Sequence, residues 1–205
     1  MNYLKMFGLA AVAAAALMVI GPGTVTATVL CKNNASTEKC SEPYPVGTEG
    51  TATLAAETTL VLEASGGTVL DTCSESTVKS TLANAGSATT TVKSGVSTIT
   101  WGNCTRTTTT LNPGGAEAHW IPGTNDATFT TIEGTEITIN TIFGTCVYGT
   151  GAALDMGIAK GGKPGSLTIS TSVPKISGNF ACPATGVLTG KYVATSPTAA
   201  WVTKE

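Results

Sequence analysis

The sequence predicts an all-β fold: a disulfide-stapled antiparallel β-sandwich, or an open barrel, of many short strands. Three observations carry this reading. Apolar residues recur at every second position in several stretches, turn-forming clusters separate those stretches at short intervals, and six cysteines stand in a chain that begins like an exported protein.

The alternation comes first. "TTLVLEA" places Leu60, Leu62 and Ala64 on one side, and "STITW" places Ile99 with Trp101. "TEITINTIF" aligns Ile137, Ile139 and Phe143, and "SLTISTSV" aligns Leu167, Ile169 and Val173. A two-residue period is that of a strand with one buried face. Threonine occurs 39 times, about a fifth of the chain. It is β-branched, favours strands and covers an outer face without adding charge.

Turn clusters come next: "SGG" (65–67), "NAG" (84–86), "NPGG" (112–115), "PGTND" (122–126), "EG" (133–134), "GGKPG" (161–165) and "SGN" (177–179). Such spacing allows roughly twelve strands, within reach of one two-layer domain. No linker composition interrupts it, so residues 28–205 are expected to form a single β-sandwich domain with a filled interior.

The N-terminus reads as a cleaved signal peptide, residues 1–27. Lys5 precedes the apolar run from Phe7 to Ile20, and Gly21-Pro22-Gly23 stops that run short of the roughly 20 residues a membrane span needs. The small pair Val25 and Ala27 sets cleavage after Ala27. Cys31 could in principle carry lipid, but Leu30 stands where a lipoprotein peptidase needs a small residue. The mature protein is therefore expected to be secreted, extracellular or in the cell envelope, with no membrane span.

Export gives the cysteines their meaning. Cys31, Cys40, Cys73, Cys104, Cys146 and Cys182 form an even set, read as disulfides. Spacing does not fix their pairing; pairing in chain order encloses one compact unit per bond and is the expectation here. No C-x-x-C is present, and one histidine cannot complete a zinc set, so neither metal nor cofactor is expected.

Charged residues make up 12% of the chain against a usual figure of about 25%. Loss of Lys5 with the leader leaves ten basic against thirteen acidic residues. No basic patch is available for phosphates, which argues against a nucleic-acid partner.

Candidate chemistry is sparse. His119 shares a strand face with Glu117, while Trp120 points the other way with Ala118; no G-x-S-x-G supplies a nucleophile. Glu133 with Glu136, or Glu57 with Glu63, could form a glycosidase pair, but each set lies beside turns where acidic groups are ordinarily solvated. "GIAKGGKP" (157–164) approaches a phosphate loop, yet Pro164 stands where Ser or Thr should hold magnesium, so a hairpin turn is expected. Trp101 is assigned to the core. Trp120 and Trp201 are the candidate ligand-binding rings, with an extracellular glycan or envelope component as the candidate partner. "TWGNC" (100–104) and "FGTC" (143–146) each place an aromatic and a glycine before a cysteine, as a ring packed on a cystine would require.

With "ATVLCKNN", the C-x-x-P-Y-P-V-G-T run from Cys40, "VLDTC", "FGTCVYGTG" and "YVATSP", the chain resembles uncharacterised exported β-rich proteins of soil actinobacteria. The resemblance spans nearly all of residues 28–205. It implies export and a β fold, and brings no catalytic or binding residue with it. The expected function is a non-enzymatic structural or adhesive protein. The alternative is a ligand-binding module for a glycan or a small hydrophobic molecule, and a hydrolase ranks behind both.

Overall fold

The computed structural model describes residues 28–34, 39–141 and 144–204; the expected signal peptide and Phe143 lie outside the described residues. Among the described residues there is no helix. β1 (Val29–Cys31), β2 (Glu49–Leu54) and β3 (Leu60–Ala64) precede a long hairpin of β4 (Val69–Ser87) and β5 (Thr90–Cys104). β6 (Thr107–Asn112), β7 (Gly115–Trp120), β8 (Ala127–Glu133), β9 (Glu136–Thr141) and β10 (Gly144–Gly149) follow. β11 (Asp155–Lys160), β12 (Ser166–Gly178), β13 (Thr185–Ser196) and β14 (Trp201–Thr203) complete the chain.

Eight strands close into an antiparallel barrel in the order β2-β4-β5-β7-β8-β11-β12-β13, with β13 pairing back onto β2. The expected sandwich, or open barrel, is thereby corrected to a closed one. Alternation is the same in both architectures. What separates them is whether the outermost strands pair, here Thr51–Leu54 with Tyr192–Ser196, and a local period cannot carry that long-range contact. Closure also removes the unpaired edges that an open sheet exposes.

β2 and β3 are one interrupted strand. Both lie between β4 and β13: β2 pairs Thr77–Thr81 of β4, and β3 pairs Val69–Cys73. Glu57 takes up the interruption at φ 59. At the β3 end, called the lower end, β12 outruns the barrel and its Lys175–Gly178 stretch pairs β10, which pairs β9, which pairs β6. At the upper end the short ribbon of β1 and β14 lies across the barrel. Thr28 N donates to Ser87 O, and Val202 N donates to Asn125 O.

One expected turn moves. "NAG" (84–86) belongs to the end of β4, and the chain reverses at 88–89. Gly86 is needed there for another reason: it sits at φ +85, and a Cβ would fall 1.7 Å from Thr28 O of the overlying ribbon. Gly157 has a matching role in β11, at φ +148 with a Cβ position 1.9 Å from Thr168 O, where the β11–β8 register shifts.

Three disulfides staple the fold: Cys31–Cys40, Cys73–Cys104 and Cys146–Cys182. The bonds join the cysteines in chain order. The first holds the ribbon to the segment before Tyr44, the second links directly opposed residues of β4 and β5, and the third ties β10 to the loop between β12 and β13.

Candidate functional site

The interior of the barrel is unevenly filled. Its lower part holds the main core, with Leu60, Leu62, Ile139, Tyr148, Val173 and Leu188 packed together. The upper part is capped by Tyr44, Leu82, Val92, Ala118, Ala127 and Val202. Between them the lining residues are small: Gly50 and Ala52 of β2, Ser80 of β4, Ser94 of β5, Ala116 of β7 and Ala194 of β13. The ladders carry these positions around one face, since Gly50 pairs with Ser80, Ala52 with Ala194, and Ser94 with Ala116.

Small side chains leave room. The result is a cavity of about 320 Å³, adjoining a second hollow of about 220 Å³ with which it shares Ala52, Ser80, Ser94, Phe129 and Tyr192. Eight strands give an interior that side chains just fill, or that holds one small ligand when they do not. The expectation of a filled interior is therefore corrected. The signal was present in the sequence as Gly50 and Ala52 of "EGTATL" and Ala116 and Ala118 of "GAEAHW", small residues preceding Leu54 and Trp120 on the inward faces.

The wall is apolar and aromatic, with Trp101, Phe129, Met156, Ile169 and Tyr192 contributing. Its polar groups are largely consumed. The Tyr192 hydroxyl donates to Ser76 Oγ at 2.8 Å, and Ser76 donates to Thr100 O at 2.9 Å. Burial pushes the Tyr192 phenol above its usual pKa, against the opposing pull of the Ser76 hydrogen bond. Thr131 Oγ1 donates to Gly151 O at 2.7 Å. The Ser80 and Ser94 hydroxyls, by contrast, have no hydrogen-bond partner among the described residues.

The three tryptophans are each partly buried. Trp120 packs against the upper cap, with Nε1 donating to Thr124 O at 2.7 Å. Trp201 packs against Val29 and Cys31 of the ribbon and against Cys40. Each is half-buried by apolar neighbours rather than standing free on the surface. Trp101 packs against the main core, and its Nε1 donates to Thr110 Oγ1 at 2.8 Å.

The remaining candidates sit outside the cavity. On the outer face of β7 and β8, His119 Nε2 lies 3.0 Å from Glu117 Oε1 and 3.3 Å from Thr130 Oγ1. Both contacts use the same ring nitrogen. A relay needs the acid on one nitrogen and the nucleophile on the other, so this trio lacks that geometry. Glu117 also accepts from Thr91 and pairs with Lys93 at 3.4 Å. Burial raises its pKa, but the Thr91 hydrogen bond together with the charges of His119 and Lys93 outweighs this and holds the carboxyl below its ordinary value. Glu133 and Glu136 flank the β8–β9 turn, Glu57 sits in the β2–β3 interruption and Glu63 on β3. None of the four lines the cavity. Residues 161–165 form the β11–β12 turn, with no helix following.

Asp71 is a buried carboxyl the sequence reading passed over. It is 3% exposed. Oδ1 accepts from Thr72 N at 2.8 Å, Thr105 Oγ1 at 2.7 Å and Arg106 N at 2.9 Å, while Oδ2 accepts from Thr108 Oγ1. It lies close to Cys73 and Cys104, whose sulfurs are bonded to each other and are not thiolate ligands. Its oxygens are committed to holding β6 against β4.

Comparison with protein-family models, with curated proteins and with solved structures finds no match to this chain.

Proposed function

We propose that the chain is an exported, non-enzymatic binding protein whose barrel holds one small hydrophobic molecule. The observation that carries this is the cavity. An apolar hollow of about 320 Å³ falls within the range of small-molecule sites, about 300–1,000 Å³. It is about twice the size of an engineered apolar cavity that admits benzene, so a guest of about ten to fifteen heavy atoms fits. A barrel with only a structural or adhesive role gains nothing from small residues along its inner wall, because each unfilled position forfeits packing. That role therefore ranks second. A surface glycan platform loses its support, since Trp120 and Trp201 are both packed against the protein. Three cystines are compatible with an oxidising compartment, in keeping with export.

A neutral, environment-sensitive fluorophore of that size, 1-naphthylamine, is expected to bind saturably at one site per chain, with a rise in fluorescence. Ala52→Trp, which places an indole in the cavity, should weaken binding at least tenfold while the near-ultraviolet circular dichroism stays that of a folded protein. No saturable binding, or the same affinity in the variant, would count against the proposal.

A further inference from the structure

Resting on that binding reading, we infer that the guest is uncharged and carries one polar oxygen, a hydroxyl or carbonyl, which the Ser80 and Ser94 hydroxyls recognise. Three observations lead there. Among the described residues, neither hollow is lined by Asp, Glu, His or Arg. Lys160 appears only at the upper one, and at that level its neighbour Ala159, half-buried and packed against the upper cap, is the β11 residue facing inward. An ionised guest would enter a wall with no counter-charge, a large desolvation cost.

Two hydroxyls also stand together in an otherwise apolar wall. Ser80 of β4 pairs with Val96 of β5, and Leu82 of β4 pairs with Ser94 of β5. Ser80 and Ser94 are thus diagonal neighbours across one ladder, with Cβ atoms about 7 Å apart by strand geometry. One oxygen lying between them can accept from one hydroxyl and donate to, or accept from, the other. Both lack a hydrogen-bond partner among the described residues, so a guest made only of hydrocarbon would strip their water and return nothing. A guest with one oxygen satisfies them. Sites built to hydrogen-bond a polar group discriminate against analogues lacking it, because the site's own groups are then left unpaired. The aromatic side chains on the same wall accept the rest of the molecule as a ring or branched hydrocarbon.

The test compares 1-naphthol, naphthalene and 1-naphthoate at neutral pH, titrated into the oxidised protein. Affinity is read by calorimetry and location by the ¹³C-methyl resonance of Met156, which lines the cavity. Naphthol is expected to bind about tenfold more tightly than naphthalene, and naphthoate to leave Met156 unmoved. The Ser80→Ala/Ser94→Ala double variant should bring naphthol down to the level of naphthalene, with naphthalene binding retained. Equal affinity for naphthol and naphthalene in the unaltered protein, or naphthoate binding most tightly, overturns the inference while leaving the cavity a binding site. If none of the three shifts Met156, the binding proposal fails as well, and the inference with it.

Discussion

Reduction of the three cystines is expected to abolish the cooperative thermal transition of this protein. In the chain-entropy description, closing the nine-residue separation of Cys31–Cys40 is worth roughly 2.5 kcal/mol. The separations of 31 and 36 residues closed by Cys73–Cys104 and Cys146–Cys182 are worth roughly 3.5 kcal/mol each. Together they approach 10 kcal/mol, on the scale of the whole stability of a typical domain, about 5–15 kcal/mol. The barrel makes the loss sharper. Its closing ladders join strands far apart in sequence, and its middle forgoes the large side chains that would otherwise compensate. Near-ultraviolet circular dichroism of the three tryptophans, followed on heating with and without reductant, measures this. Matching melts under the two conditions would show the staples to be dispensable.

Asp71→Ala is expected to cost about 4 kcal/mol, the largest effect of any single non-cysteine substitution considered. Two backbone N–H groups and two threonine hydroxyls converge on that carboxyl. Truncation leaves Arg106 N and the Thr105 and Thr108 hydroxyls without this acceptor, while Thr72 N keeps Thr105 Oγ1 at 3.2 Å, and hydrogen bonds to a carboxylate are worth about 1.5–3 kcal/mol each. Relaxation and water entry recover part of this. For a chain of this length the melting midpoint should fall by about 10 °C. Asp71→Asn keeps one oxygen for the three donors on Oδ1, and Thr108 can turn its hydroxyl to accept from the new amide, so its cost should be about 1–2 kcal/mol. Equal and small losses for the two variants would mean that β6 is held to β4 by its other contacts.

How much of this was legible in the residues follows from what each signal encodes. Alternation located Leu60 with Leu62, Ile137 with Ile139, and Ile169 with Val173, and all six are buried in the main core. Export and an even cysteine count pointed to cystines, and the local units they enclose are those the structure shows. The closure was not legible, because the pairing of Ala52 with Ala194 depends on twist and strand tilt summed over eight strands. The cavity was missed for a related reason. Glycine, alanine and serine at inward positions carry weak periodicity, and stretches such as Glu49–Leu54 gain meaning only once the opposite wall is known. The packing of Trp120 was not legible, because the fold of residues 121–126 back over it, which supplies Thr124 O to its indole, lies outside any strand period. Asp71 announces nothing in "VLDTC": its four donors come from the next residue and from three residues more than thirty positions away.

A crystal structure determined under xenon pressure bears most directly on the hollow barrel. Xenon enters dry apolar cavities large enough to hold it. The expected result is a closed eight-stranded barrel with xenon inside, against Trp101, Phe129 and Met156. Two open sheets, or a barrel whose middle is filled by side chains and takes up no xenon, would contradict it.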